Sequence, residues 1–288
     1  MNWSKTKTIF IICFLLLDIF LTYQLISRQK GAQNQENSTQ SSFSQYIKNK
    51  DIQINTTLPD TVGTLTFLSG SYQDFGNSSN KALSKALKAL AGPAKKPVQM
   101  FTTDTQSTVL KSTFVNKVSV PETQTDQQTF LNEYVYMGDQ YRFWSYDKDE
   151  KIYKFIQTYN GHPVFSITNG HLNTLDMTLD KSGKYITGYT QSFVNIKKEK
   201  STKLGVQPME AIQQLWEKNM LSPINKPVIQ AVELGYINMS ENSDQSQPQP
   251  FAYLPAWYIE VKTTATQDVK RYFVTAITGR IQTIDGGE

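Results

Sequence analysis

One cysteine and two histidines in 288 residues leave this sequence poor in the side chains that most enzymes and metal sites depend on. Cys13 is alone, so no disulfide forms within the chain and no cysteine-based metal site can be assembled. His162 and His171 are the whole supply of imidazole for general acid–base work. There is no glycine-rich phosphate loop, no paired-histidine zinc motif and no G-x-S-x-G elbow to expose a nucleophile. Net charge is only +4, with Lys and Arg scattered among carboxylates rather than gathered on a stripe. That pattern argues against nucleic acid as a partner. What is plentiful is aromatic: 15 Tyr and 15 Phe, with hydrophobic residues at 39%. The chain therefore carries enough apolar surface for a sizeable core and leans towards strands.

Long apolar runs are also scarce, and the one present stands at the N-terminus. Ile9–Ile26 reads IFIICFLLLDIFLTYQLI. As a helix it spans roughly 27 Å, close to the hydrocarbon thickness of a bilayer. Lys5 and Lys7 precede it and Arg28 and Lys30 follow. The small-residue cleavage site of a signal peptide is missing, so the segment is read as an uncleaved anchor. The near balance of flanking charge leaves orientation weakly specified, and a short tail inside with the large body outside is the expected arrangement.

Asp18 lies near the middle of this run. A carboxylate there costs about 2.5–3.5 kcal/mol on insertion scales, and such residues usually face a partner. One reading is a polar contact with another transmembrane helix, helped by Thr22 one turn further on. The other is a protonated Asp tolerated by an otherwise strong anchor. Asp18 and Thr22 are the candidate partner-contact residues; no catalytic, cofactor-binding or metal-binding residue is assigned.

After the anchor the chain divides by composition into a tail over 1–8, the span over 9–26, a Gln/Asn/Ser-rich spacer over 27–44, and two extracytoplasmic α+β units over 45–200 and 201–288. Leu83, Leu87 and Leu90 predict a helix over Lys81–Ala91, capped by Ser79 or Asn80 and stopped by Gly92-Pro93. Strands are expected at Asn132–Met137, Gln140–Tyr146, Lys151–Tyr159, Leu172–Leu179 and Lys184–Ile196, with Asn160-Gly161 and Asn169-Gly170 as hairpin turns. A second helix begins at Pro208, with Met209, Ile212, Trp216 and Met220 as its buried face. Strands follow at about Val228–Ile237, Ala256–Lys262, Lys270–Ala276 and Arg280–Ile284. The fold class is α+β: antiparallel sheets with few helices, in two similar helix-plus-meander units.

Several polar groups invite a chemical reading and lose it to a simpler one. The histidines flank predicted turns. Ser166 and Ser192 fall on predicted strands. Asp147, Asp149 and Glu150 lack the glycine and closing glutamate of a calcium loop and suit a hydrated turn. The aromatic stretches Tyr141–Tyr146 and Phe251–Tyr258 are either contact surfaces or sheet core, and alternation favours the core.

The opening MNWSKTKTIFIICFLLLDIFLTYQL, the NTTLPD segment at Asn55–Asp60, and the anchor–spacer–body layout resemble the YycI family of low-GC Gram-positive bacteria. The stretches Pro255–Thr264 and Lys270–Ile281 also look like a PepSY-type strand pattern. The resemblance implies a membrane-held accessory regulator without catalytic residues. It would act with its relative YycH on the WalK (YycG) sensor kinase, which controls cell-wall metabolism. The other classes are an extracytoplasmic PepSY-like module for a peptide or cell-wall polymer, and a membrane-tethered hydrolase with a dispersed site.

Overall fold

A computed structural model of the protein describes residues 43–49, 51–60, 64–168, 171–203, 205–238 and 251–284, together with Leu17, Leu21 and Thr22. The turn expected at Asn169-Gly170 lies outside the described residues. Helix α1 covers 43–48. Phe43 and Ser44, which composition places in the spacer, therefore belong to the folded body; Phe43 is buried against Trp216 with ring centroids 5.6 Å apart.

Two helices pack on the first sheet. Helix α2 spans Lys81–Ala91 as expected; Asn80 Oδ1 accepts from the Leu83 amide at 3.1 Å, and Gly92, at φ 80°, ends it. Helix α3, Gln124–Tyr134, takes the first three residues of the strand expected at Asn132–Met137, and the remaining three form a bend and turn. Its start is a reciprocal cap: the Asp126 amide donates to Thr123 Oγ1 at 3.1 Å, and the Thr123 amide to Asp126 Oδ2 at 3.3 Å. Only Phe130 and Leu131 of α3 are buried, so its apolar stripe is too thin to show as a period.

The first sheet runs in the order β5-β6-β10-β11-β4-β3, where β3 is Gln99–Thr103, β4 Val109–Ser119, β5 Tyr141–Asp147, β6 Ile152–Tyr159, β10 Leu175–Leu179 and β11 Tyr185–Ser192. All its pairings are antiparallel. Leu110, Phe114, Phe155, Leu175, Met177 and Tyr189 meet the helices on one face.

The second sheet places β12 (Val194–Lys203), β2 (Thr64–Tyr72), β14 (Phe251–Thr263) and β13 (Pro227–Asn238) side by side. β15 (Val269–Thr275) pairs with the second half of β14, and β16 (Ile281–Ile284) pairs with β15. Helix α4, Pro208–Glu217, covers one face. It starts with Pro at the first turn, and the Gln207 amide donates to Glu210 Oε2 at 2.8 Å. Its buried side is Pro208, Ala211, Ile212 and Leu215, not the expected Met209–Ile212–Trp216–Met220 stripe. Met209 and Met220 are exposed, the latter lying beyond the end of the helix, while Trp216 sits on the flank beneath α1.

The sheets are continuous. At the Asn160-Gly161 turn both residues take positive φ, 49° and 81°, and β6 reverses into β7, His162–Phe165. β7 then runs parallel to β13, as does β1, Gln53–Ile54. These two parallel pairings depart from the wholly antiparallel expectation, because they join segments far apart in sequence with no turn to announce them. A short hairpin of β8 (Ile167–Thr168) and β9 (His171–Leu172) stands beside the junction.

Candidate interaction surface

Among the described residues β5 pairs only with β6 and forms an edge of the first sheet. The register pairs Phe143 with Phe155 and Ser145 with Lys154, so Trp144 is an extra residue in a β-bulge. Phe143 and Tyr146 are three apart, and in a regular strand they would face opposite ways. The bulge restores them to one face: Tyr146 pairs with Tyr153, two residues from Phe155. Their rings form a row, Tyr146–Tyr153 at 4.5 Å, Phe143–Tyr153 at 6.0 Å and Phe143–Phe155 at 6.0 Å. Phe143 is 39% exposed and Tyr146 37%, so the outer end of the row faces solvent.

Trp144 goes the other way. Its ring meets Phe165 at 5.5 Å and Tyr258 at 5.1 Å, both edge-on, in the core between the sheets. Beside it, Arg142 Nη2 donates to Glu233 Oε1 of β13 at 2.6 Å. Both side chains are about a third exposed, so the pair orients more than it stabilises. Deeper, the Tyr258 hydroxyl donates to Glu260 Oε2 at 2.7 Å, and Arg271 Nε donates to the same oxygen at 3.2 Å. Burial first, and then the Glu260 charge, raises the Tyr258 pKa and keeps the hydroxyl protonated. One bulge thus clamps β5 onto the second sheet and presents aromatics outward.

The other expected groups fall elsewhere. His162 Nδ1 lies 3.1 Å from the Leu234 carbonyl oxygen, and its ring meets Tyr236 edge-on. His171 opens β9; its side chain lies outside the described residues. Buried Ser166 shares a hydrogen bond with the Tyr253 hydroxyl, whereas His162 bonds the Leu234 carbonyl. The carbonyl of Ser192 accepts from the Tyr141 hydroxyl at 2.8 Å. Asp147 Oδ1 accepts from the amides of Asp149 and Glu150 at 3.1 and 3.0 Å, the geometry of a self-satisfied turn. Among the described residues no three metal-ligating side chains cluster. In Phe251–Tyr258, Tyr253, Trp257 and Tyr258 are core, and Trp257 Nε1 donates to the Val206 carbonyl at 2.8 Å.

Asp18 lies outside the described residues, whereas Thr22 is helical and exposed. Among the described residues no helix is long and apolar enough to cross a membrane; most of Ile9–Ile26 is not among them. Sequence reasoning missed the Arg142–Glu233 pair, for which no local signal exists. It also missed the separation of Trp144 from its neighbours, hinted at only by the broken alternation of Phe143-Trp144-Ser145-Tyr146.

No curated protein sequence matches the chain. Among solved structures, an uncharacterized protein from Eubacterium rectale is similar at a TM-score of 0.43 and 10% identity, covering 80% of this chain and 89% of the other. The YpeB C-terminal domain of Bacillus megaterium is similar at a TM-score of 0.36 and 10% identity, covering 65% and 82% respectively. The family model for the YycI protein matches residues 31–277, the bulk of the chain, and this protein belongs to the YycI family.

Proposed function

We propose that this chain is a membrane-anchored accessory regulator that acts with a YycH-type protein on a WalK (YycG) sensor kinase and so on cell-wall metabolism. Family membership over residues 31–277 carries the reading. The anchor is Ile9–Ile26, with the N-terminus cytoplasmic and the body extracytoplasmic, its C-terminal unit PepSY-like. The solvent-facing row of Phe143, Tyr146 and Tyr153 supports it, because exposed aromatics on a clamped strand are what a protein partner buries.

The regulator works by population bias. Contacts in the membrane and on the outer body favour one of two kinase conformations, and the difference in contact free energy sets the shift. A difference of about 1.4 kcal/mol changes the ratio tenfold, so one desolvated contact from Asp18 to the kinase helix is sufficient. The test is site-directed crosslinking along Ile9–Ile26 in cells, with identification of the captured protein. Capture of the kinase, lost together with a changed reporter output in Asp18→Leu, is the expected result. Normal insertion with unchanged capture and output in that variant removes Asp18 from the mechanism; capture of no kinase at any position refutes the regulatory reading.

A further inference from the structure

The end of the second sheet nearest the spacer has an unusual surface. Tyr46 of α1 packs on Trp216 at 5.8 Å, and its carbonyl accepts from the Asp51 amide at 3.0 Å. The chain then enters β1, whose Gln53 pairs with Val228 at the start of β13. The same end of β13 is reached from α4 through a turn. Asn225 N donates to the Ser222 carbonyl at 3.1 Å, Lys226 N to that of Pro223 at 3.0 Å, and Thr264 Oγ1 to that of Lys226 at 2.5 Å. This pinned turn carries Ile224 at 89% exposure, against 56% or less for the other exposed large hydrophobic side chains among the described residues. Met220, four residues before it, is exposed, as is Tyr46 on the Trp216 side of α4, and Lys48, Lys218 and Lys226 are exposed as well. Of the nearby carboxylates, Asp51 is half-buried, Glu217 is exposed and accepts from Gln213 Nε2 at 2.8 Å, and Asp268 is exposed in the β14–β15 turn that carries Thr264.

A single exposed isoleucine is ordinary on a protein surface. Here it stands on a turn held by three hydrogen bonds, among lysines, at the end of the body from which the chain leaves for the proposed anchor. Apolar and aromatic tips with lysines beside them are what a phospholipid surface accepts: the apolar groups enter the headgroup layer while the ammonium groups reach phosphate. The spacer decides between this and a passive surface. Only residues 27–42 separate the anchor from Phe43, a reach of at most about 55 Å even at full extension. That reach holds the body at an effective concentration in the millimolar range relative to the bilayer, so a contact too weak to bind from solution is populated.

We infer that the body rests on the bilayer through the Met220–Lys226 turn with Tyr46 and Lys48, Ile224 entering the headgroup layer and the lysines pairing with lipid phosphate. The inference rests on the anchor reading under Proposed function. It implies a fixed tilt of the second sheet on the membrane, which sets the height at which the aromatic row on β5 meets a partner.

The test uses the full-length chain with Cys13→Ser, reconstituted in vesicles of phosphatidylcholine and phosphatidylglycerol that carry a headgroup-level nitroxide quencher. Ile224→Cys, labelled with an environment-sensitive fluorophore, is compared with Lys117→Cys on the exposed face of β4. Quenching at position 224 is expected to be at least threefold stronger than at 117, and to fall at least twofold when Lys218→Glu and Lys226→Glu are added. Equal quenching at the two positions overturns the inference while the vesicles still carry the protein. Loss of co-flotation with the vesicles instead overturns the anchor reading, and this inference with it. Shielding of position 224 only after a second protein is added assigns the turn to a protein partner and also overturns it.

Discussion

The side-chain amide of Gln157 pairs with both backbone groups of Val194, donating from Nε2 to the carbonyl at 2.8 Å and accepting from the amide at Oε1 over 3.0 Å. Val194 opens β12, one residue after Phe193 interrupts the path from β11, so this is where the chain passes from the first sheet to the second. There Val194 stands opposite Tyr72 of β2 and takes two backbone hydrogen bonds from a carboxamide. Gln157 lies two residues from the end of β6, just before the Asn160-Gly161 reversal that carries the chain the same way. One buried side chain therefore staples both crossings.

Gln157→Leu keeps the volume and removes both partners. Two buried backbone groups left without hydrogen bonds cost about 1–3 kcal/mol each, so the variant should lose roughly 2–5 kcal/mol in a urea titration of the full-length protein in detergent. Gln157→Glu adds a pH signature. Its carboxylate cannot donate to the Val194 carbonyl, whereas the protonated acid can, so the folded-state pKa is raised. Stability is then present below the unfolded value of about 4.3 and is lost as pH rises through the folded value. A Glu variant with the same deficit at pH 4 and pH 8 would show that the donor to Val194 contributes nothing.

Gly138 is fixed by close approach. A Cβ there would sit 1.9 Å from the Leu131 carbonyl oxygen, a backbone atom that cannot turn aside. The same turn is held from below: Gln99 Nε2 and the Tyr189 hydroxyl both donate to the Tyr134 carbonyl at 2.8 Å, and Gln191 Nε2 to that of Tyr136 at 2.7 Å. Gly138→Ala should therefore displace the end of α3 and cost about 2–4 kcal/mol, measured as a lower urea midpoint. A midpoint within error of the parent would mean that the clamp yields.

Alkaline pH should unfold the protein steeply. Burial raises the pKa of Tyr141, Tyr189, Tyr253 and Tyr258, keeping each hydroxyl neutral in the fold. In the unfolded chain each ionises near pH 10. Their contribution is thus complete below about pH 10 and is lost above it, by about 1.4 kcal/mol per pH unit for each tyrosine. Thermal melts at pH 9, 10 and 11 with phenolate absorbance recorded together should show unfolding and ionisation coinciding. Ionisation of these four before the fold is lost would contradict their burial.

Local signals carried the fold as far as they reached. The leucine period and Asn80 cap define α2 to the residue, and Asn160-Gly161 is the turn its φ tolerance predicts. α3 was illegible because its stability comes from a cap and from two core side chains rather than from a stripe. The face of α4 was misread because a Met-Ile-Trp-Met spacing competes with the true Pro208–Ala211–Ile212–Leu215 side, and only the sheet beneath decides. β2 and β4, unassigned in the sequence, are each held by pairing with segments far along the chain: Thr64–Tyr72 with Val194–Lys203, and Val109–Ser119 with Tyr185–Ser192. At the interaction surface the aromatic content of Tyr141–Tyr146 was visible. Which rings face outward was not, since a single-residue bulge reverses the alternation for everything after it.

That bulge supplies the decisive pair of variants for the aromatic row. Phe143→Ser with Tyr146→Ser removes two rings that are 39% and 37% exposed, so the fold should lose only about 1–2 kcal/mol while retention of the proposed kinase partner falls at least tenfold. Trp144→Ala, one residue from Phe143, removes the ring wedged between Phe165 and Tyr258 and should cost about 2–4 kcal/mol, with partner retention following the surviving folded fraction. Crosslinked yield of kinase in cells, divided by the amount of folded protein, separates the two effects. A double-serine variant that still captures kinase at the parental ratio would move the contact off β5. If Trp144→Ala lowered that ratio as strongly as the double variant, the strand's clamp on the second sheet, rather than its exposed rings, would be what the partner requires.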